Sequence, residues 1–76
     1  MTKLYLAEVL NAVYPQTWVR VLDRNNKEIA YQHAKALIEY VYDKVPADTE
    51  IIGVRVEDYV LDLTLDCDYP CKKGEF

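Results

Sequence analysis

Apolar and polar residues alternate between residues 50 and 66 in a pattern that predicts a β-hairpin with one buried face. The apolar positions are Ile52, Val54, Val56, Leu61, Leu63 and Leu65. The polar positions between them include Arg55, Glu57, Asp62 and Asp66. Successive side chains of a strand point to opposite faces, so the apolar set is expected to meet the core and the polar set to meet water. In this hairpin Arg55 is expected opposite either Asp62 or Val60, depending on the loop.

Two amphipathic helices are predicted from apolar residues that recur every three or four positions. The first covers residues 3–13, and its stripe is Leu6, Val9, Leu10 and Val13. The second covers residues 33–45, and its stripe is Ala34, Leu37, Ile38, Val41 and Val45. Thr2 is the expected N-cap of the first helix. Pro15 and Pro46 are expected to end the two helices, because the residue before a proline is pushed towards extended angles.

A second strand pair is predicted between the helices. Residues 17–22 are dense in β-branched and aromatic side chains, and the turn-rich segment 23–26 follows them. Residues 27–32 are open to two interpretations. Their apolar and polar positions alternate as in a strand, whereas Asn25 and Glu28 have the spacing of a capping box that would start a helix. We favour the strand, which joins both segments in a hairpin.

These elements predict a single α+β domain over residues 1–66, in the order α-β-β-α-β-β. We expect a four-stranded antiparallel sheet with both helices on one face. Gly53 interrupts a strand, which is typical of a bulge or of a close packing contact. Residues 67–76 have no periodicity and contain Pro70 and Gly74, so they are expected to form a flexible tail. The pattern leaves the order of the strands open.

The chain is short and mildly acidic. Its 76 residues suffice for one small core, and 13 acidic against 9 basic residues give a formal charge of −4. This charge disfavours phosphate backbones, so we expect no binding to nucleic acid. It reflects either ordinary solubility or an acidic face that imitates nucleic acid and occupies another protein's basic groove. Because no signal peptide or membrane-length apolar run is recognisable, we expect no membrane contact and a cytoplasmic location.

No catalytic, metal or cofactor site is recognisable in the sequence. Cys67 and Cys71 are interpreted as reduced thiols, with a disulfide or a metal shared between two chains as the alternatives. His33, the single histidine, is expected to be an ordinary polar residue at a helix start. Two isolated glycines cannot form a phosphate-binding loop. We interpret the acidic series as a solvated face rather than a cation site: Asp58, Asp62, Asp66 and Asp68. We therefore expect no enzyme, metal or cofactor chemistry.

Tyrosine is unusually frequent, with seven copies in the chain. A tyrosine packs its ring and still hydrogen-bonds through its hydroxyl, which favours it at protein interfaces. Tyr42 is predicted on the polar side of the second helix and Tyr40 on its flank, so both are candidates for partner binding, with Trp18 if its strand exposes that side. The alternative is that the tyrosines cap the ends of a small core.

Two segments carry a resemblance to known sequences. After the leading helix comes Trp18-Val19-Arg20-Val21-Leu22-Asp23-Arg24-Asn25-Asn26, and the last hairpin begins Ile51-Ile52-Gly53-Val54-Arg55-Val56-Glu57. In this order the chain resembles short uncharacterised proteins of phages and prophages of Gram-positive bacteria, over about residues 4–66. The resemblance implies no functional residues. Small acidic phage proteins often act on a host protein, and some inhibit CRISPR nucleases or other defence systems.

The resulting hypothesis is a non-enzymatic protein-binding module of a phage that inhibits or redirects a host or defence protein in the bacterial cytoplasm. The expected partner-binding residues are Arg55, Glu57, Asp62, Asp66, Tyr40 and Tyr42. The alternative is a self-associating structural domain, in which an edge strand or the outer face of the sheet pairs with a second copy. A homodimer is the partner that this alternative implies.

Overall fold

The computed structural model describes residues 3–69, so the predicted cap Thr2 and residues 70–76 lie outside the described part. Two short α-helices and four strands form an α+β fold. The elements are α1 (Leu6–Ala12), β1 (Trp18–Leu22), β2 (Glu28–His33), α2 (Ala34–Ile38), a 3₁₀ turn (Val41–Asp43), β3 (Ile51–Glu57) and β4 (Val60–Leu65).

The helix α1 forms at the predicted place but is shorter than residues 3–13. The Glu8 carboxylate accepts a hydrogen bond from the Tyr5 backbone N–H at 2.9 Å, which satisfies a donor just before the first turn. Leu6 and Leu10, two residues of the predicted apolar stripe, are buried. The helix ends where Val13 turns to extended angles, two residues before Pro15.

The hairpin β1–β2 confirms the strand interpretation of residues 27–32 and excludes the helix. Asp23 begins the turn, and Asn26 takes the left-handed conformation with φ of 65°. Asparagine tolerates these angles better than most residues, because its short side chain bonds locally.

The sheet is mixed, so the prediction of a purely antiparallel sheet is wrong. Its strand order is β2-β1-β4-β3. Both hairpins are antiparallel, but β1 and β4 pair in parallel from Trp18/Val60 to Leu22/Thr64. After β2 the chain passes through α2 to the opposite edge of the sheet, and β4 then returns beside β1 in the same direction. Alternation along each strand is the same in both kinds of pairing, and it therefore could not distinguish them.

The predicted helix over residues 33–45 is wrong in its second half. The α-helix ends at Ile38, Tyr40 has φ of −136°, and a 3₁₀ turn follows. β-Branched and aromatic residues dominate this half, and they lose rotamer freedom in a helix. The apolar stripe is nevertheless correct at four positions, since these side chains are buried: Ala34, Leu37, Val41 and Val45.

One face of the sheet, here called the helix face, packs against α1 and α2. The buried strand residues of the core are Val19, Val21, Ile29, Ala30, Ile51, Leu63 and Leu65. Ile52, Val54 and Val56 were predicted to be buried, but all three are exposed. The reason is that β3 is an edge strand and α2 packs on β2 and β1 at the other side of the sheet.

Gly53 fulfils both predictions made for it. A bulge interrupts the β3–β4 register between Ile51 and Gly53. A Cβ atom added at Gly53 would come within 3.3 Å of the Thr64 Cβ, closer than ordinary packing. A glycine at this position therefore lets the two strands approach.

The first residues of the predicted tail are held against the β1–β2 turn. The Arg24 N–H donates to the Cys67 carbonyl at 3.0 Å, and the Tyr69 N–H donates to the Asp23 carboxylate at 3.0 Å. Asn25 Nδ2 also donates to the Asp68 carboxylate at 3.2 Å. The remainder of the predicted tail, including Cys71, lies outside the described residues.

Candidate functional site

The side of the sheet opposite the helix face, here called the open face, carries three rows of cross-strand neighbours. The first row is His33, Trp18, Val60 and Glu57. The second row is Tyr31, Arg20, Asp62 and Arg55. The third row is Glu28, Leu22, Thr64 and Gly53. No helix within residues 3–69 packs on these rows, and every residue in them except Asp62 is at least partly exposed.

Four side chains on β1 and β2 form a connected group on the open face, which we call the Trp18 cluster. The ring centroids of Trp18 and Tyr31 are 5.3 Å apart, and the His33 ring meets Trp18 edge-on at 5.0 Å. The Arg20 guanidinium carbon lies 5.0 Å from the centre of the Tyr31 ring, within the range of a cation–π contact. Trp18 and Tyr31 are 41% and 42% exposed. The cluster is therefore both ordered by its own contacts and accessible.

Acidic residues on both sides hold Arg20 in place. Its Nε atom is 3.7 Å from a Glu28 carboxylate oxygen and 3.9 Å from Asp62 Oδ1. Arg20 Nε and Asp62 Oδ1 are buried and have no hydrogen-bond partner among the described residues. The guanidinium is therefore fixed over Tyr31 by charge, while part of it stays exposed.

Three of the predicted partner-binding residues lie on the open face. The register places Arg55 opposite Asp62, which is one of the two predicted alternatives. Arg55 and Glu57 are exposed and form an ion pair at 2.9 Å. Asp62, however, is only 8% exposed, so the expectation that it faces water is wrong. It is enclosed because its neighbours in the row include Arg20 and Arg55.

The other three predicted residues lie elsewhere on the molecule. Asp66 follows the end of β4 and forms an ion pair with Arg24 at 3.1 Å, beside the β1–β2 turn. Tyr40 and Tyr42 are partly buried and pack against the core. Burial raises the pKa of the Tyr42 hydroxyl. These tyrosines thus follow the alternative interpretation, in which the rings cover the core.

Tyr31, Arg20 and His33 were missed as site residues, although the sequence contained a signal for them. Positions 18, 20 and 22 of β1 alternate with the buried valines, so they share one face. Trp18 was considered only on the condition that its strand exposes that side. The register of the first hairpin then brings Tyr31 opposite Arg20.

Within residues 3–69, no group of three His, Cys, Asp or Glu side chains could hold a metal ion. No described helix is both long enough and apolar enough to cross a membrane. Comparisons with known protein families, curated proteins and solved structures found no match to this chain.

Proposed function

We propose that this chain is a non-enzymatic protein-binding module that docks on its partner through the open face. The observation that supports it is the exposed Trp18 cluster on a sheet face that no described helix covers. Tryptophan, tyrosine and arginine are the residues that most often dominate the binding energy of protein interfaces. Following the resemblance to phage proteins, we propose a host or defence protein of the bacterial cytoplasm as the partner.

The chemistry of the cluster defines the kind of surface that fits it. Trp18 and Tyr31 offer ring surface for an apolar side chain, and the exposed part of Arg20 can donate to a carboxylate or carbonyl. The charge of Arg20 is already balanced by Glu28 and Asp62. The partner surface is therefore proposed to be apolar at its centre, with a hydrogen-bond acceptor beside it.

This proposal revises the earlier hypothesis of an acidic binding face. Asp62 is buried next to Arg20, and Asp66 lies beside the β1–β2 turn. Charge reversal at Asp62 would place a cation next to Arg20 and would damage the fold. It would not report on binding alone. The aromatic residues of the cluster are the better test.

The experiment is a tagged pull-down from the native bacterial host, followed by titration of the purified partner. The test variant combines Trp18→Ala with Tyr31→Ala, and the matched control combines Tyr14→Ala with Tyr59→Ala, two exposed tyrosines outside the cluster. We expect one dominant partner that the control retains. Each cluster substitution alone should weaken its binding by about 2 kcal/mol, roughly thirtyfold. Equal binding by folded test and control variants would contradict the proposal.

A further inference from the structure

The edge strand β3 leaves apolar side chains uncovered beside a completed core. Val54 and Val56 are 55% and 70% exposed on the helix face. Their cross-strand neighbours are Leu63 and Leu61, of which Leu63 is fully buried. Apart from Ile51 at the start of β3, the core therefore ends one strand short of the sheet's edge. Edge strands are commonly protected by lysine, proline or a bulge. β3 contains neither lysine nor proline, and its bulge lies at the Ile51–Gly53 end, away from Val56.

The turn after β3 determines which backbone groups face the free edge. Asp58 and Tyr59 have φ of 53° and 65°, the positive values of a two-residue type I′ turn. The pair that flanks such a turn, here Glu57 and Val60, exchanges both backbone hydrogen bonds. Because bonded and non-bonded pairs alternate, Val56 and Val54 direct their N–H and C=O groups away from β4. These groups can accept another strand.

The charges on β3 identify a second copy of the same strand as the fitting occupant. Arg55 and Glu57 carry opposite charges two positions apart on the open face. In an antiparallel pair of identical strands centred on Val56, each Arg55 lies opposite the Glu57 of the other copy. Centring on Arg55 would oppose two arginines, and centring on Val54 would leave both charges without a counterpart. Only the register centred on Val56 is complementary in charge.

We propose that two copies of this chain associate through antiparallel pairing of their β3 strands, centred on Val56. The pairing joins two four-stranded sheets into one of eight strands. It places Val56 of one copy opposite Val56 of the other on the helix face and forms two Arg55–Glu57 pairs between copies on the open face. The dimer does not depend on the proposed partner, because the Trp18 cluster lies on β1 and β2.

The test measures the mass of the purified protein by light scattering, from low micromolar to millimolar concentration. We expect the mass to rise towards twice the 8.9 kDa of one chain. In this pairing residues 55 and 57 of each copy face residues 57 and 55 of the other. Arg55→Glu makes these four side chains acidic, and Glu57→Arg makes them basic. Each variant alone should dimerise about tenfold more weakly, since like charges directly opposite one another are destabilising. Mixing the two variants should restore association, because the charges are then complementary again.

The controls separate this register from other kinds of association. Lys35 is an exposed residue of α2, so Lys35→Glu changes the charge by the same amount as Arg55→Glu and should leave the dimer unchanged. Val56→Lys should abolish the dimer, while circular dichroism confirms that each variant is folded. A wild-type mass of one chain at every concentration would overturn the proposal. So would a dimer that Val56→Lys leaves intact, or variants that the mixture does not rescue.

Discussion

Asp23 holds together the end of the sheet at which the β1–β2 turn meets the segment after β4. Its side chain is buried, and Oδ1 accepts hydrogen bonds from the backbone N–H groups of Asn25 and Lys27, both at 2.8 Å. Oδ2 accepts the Tyr69 N–H at 3.0 Å. The N–H groups of Lys27 and Tyr69 are the main reason that the pKa of Asp23 lies below its ordinary value, and burial opposes them. One carboxylate thus joins the β1–β2 turn to the segment after β4.

We predict that Asp23→Asn lowers the Tm at pH 7 by several degrees. The asparagine oxygen can still accept from the turn, but its NH₂ group cannot accept from the Tyr69 N–H. Hydrogen exchange of the Tyr69 amide should therefore become faster. Asp48→Asn, in an exposed loop, is the control and should change neither quantity. An unchanged Tm in Asp23→Asn would show that the carboxylate is not needed.

The same residue predicts the direction of a pH effect. Because the folded pKa of Asp23 is lowered, its contribution to stability is complete above the unfolded value of about 3.8. That contribution is lost as the pH falls through the lower, folded pKa. The Tm difference between the wild type and Asp23→Asn should therefore be largest near neutral pH and should shrink on acidification below about 3.8. A difference that is constant down to strong acid would contradict this assignment.

At the scale of the elements, the paired strands β3 and β4 share the same alternation of apolar and polar residues but have different roles. β4 is a central strand between β1 and β3, and its Leu63 and Leu65 are fully buried. β3 is an edge strand, and its Val54 is more than half exposed although it lies directly opposite Leu63. Position in the sheet, rather than the alternation that both strands share, determines how much each side chain stabilises the fold.

We predict that Leu63→Ala lowers the free energy of unfolding by about 2–5 kcal/mol, because it removes buried atoms and leaves a cavity. Val54→Ala is the matched control, because Val54 on β3 lies directly opposite Leu63. It should lower the free energy of unfolding by less than about 1 kcal/mol. Urea unfolding at low micromolar concentration, where dimerisation is weakest, measures both. Equal losses of unfolding free energy in the two variants would contradict the prediction, because Val54 would then have to be covered by the helices as Leu63 is.

The whole molecule is so small that a single core substitution removes a large fraction of its free energy of unfolding. A domain of this size is expected to have about 4–11 kcal/mol of stability, so Leu63→Ala alone would remove a large part of it. Within residues 3–69 the core lies between the helices and the strands β2, β1 and β4, and β3 adds Ile51 to it. The uncovered edge at β3 is then the place where a second copy could add stability.

At this scale we predict a Tm that rises with protein concentration, because association of folded chains stabilises the folded state by mass action. Calorimetry of the wild type over a wide concentration range should show this rise. Val56→Lys should have a Tm that does not depend on concentration. If the wild-type Tm is constant as well, the folded chain has no stabilising self-association.

Several features of the fold and of the site could be predicted from the sequence. The alternation around Leu63, the turn chemistry of Asn26 and the helical spacing of Leu6 and Leu10 were enough for the strands, the β1–β2 turn and the first helix. The placement of Arg55 and Glu57 on an exposed strand face followed from the same alternation. The faces of Tyr40 and Tyr42 could not be predicted correctly, because they were deduced from a continuous helix over residues 33–45, whereas the helix ends at Ile38.

The sequence by itself determined the four strands, the first helix, the start of the second helix and the positions that alternate, because these properties depend on neighbours within a few residues. Only the tertiary structure decided the strand order, the parallel pairing of β1 with β4, and the burial of Asp62 beside Arg20. It also decided that Val54 stays exposed while Leu63, opposite it, is buried. These outcomes depend on which elements lie on top of or beside each strand, and such contacts join residues that are far apart in the chain.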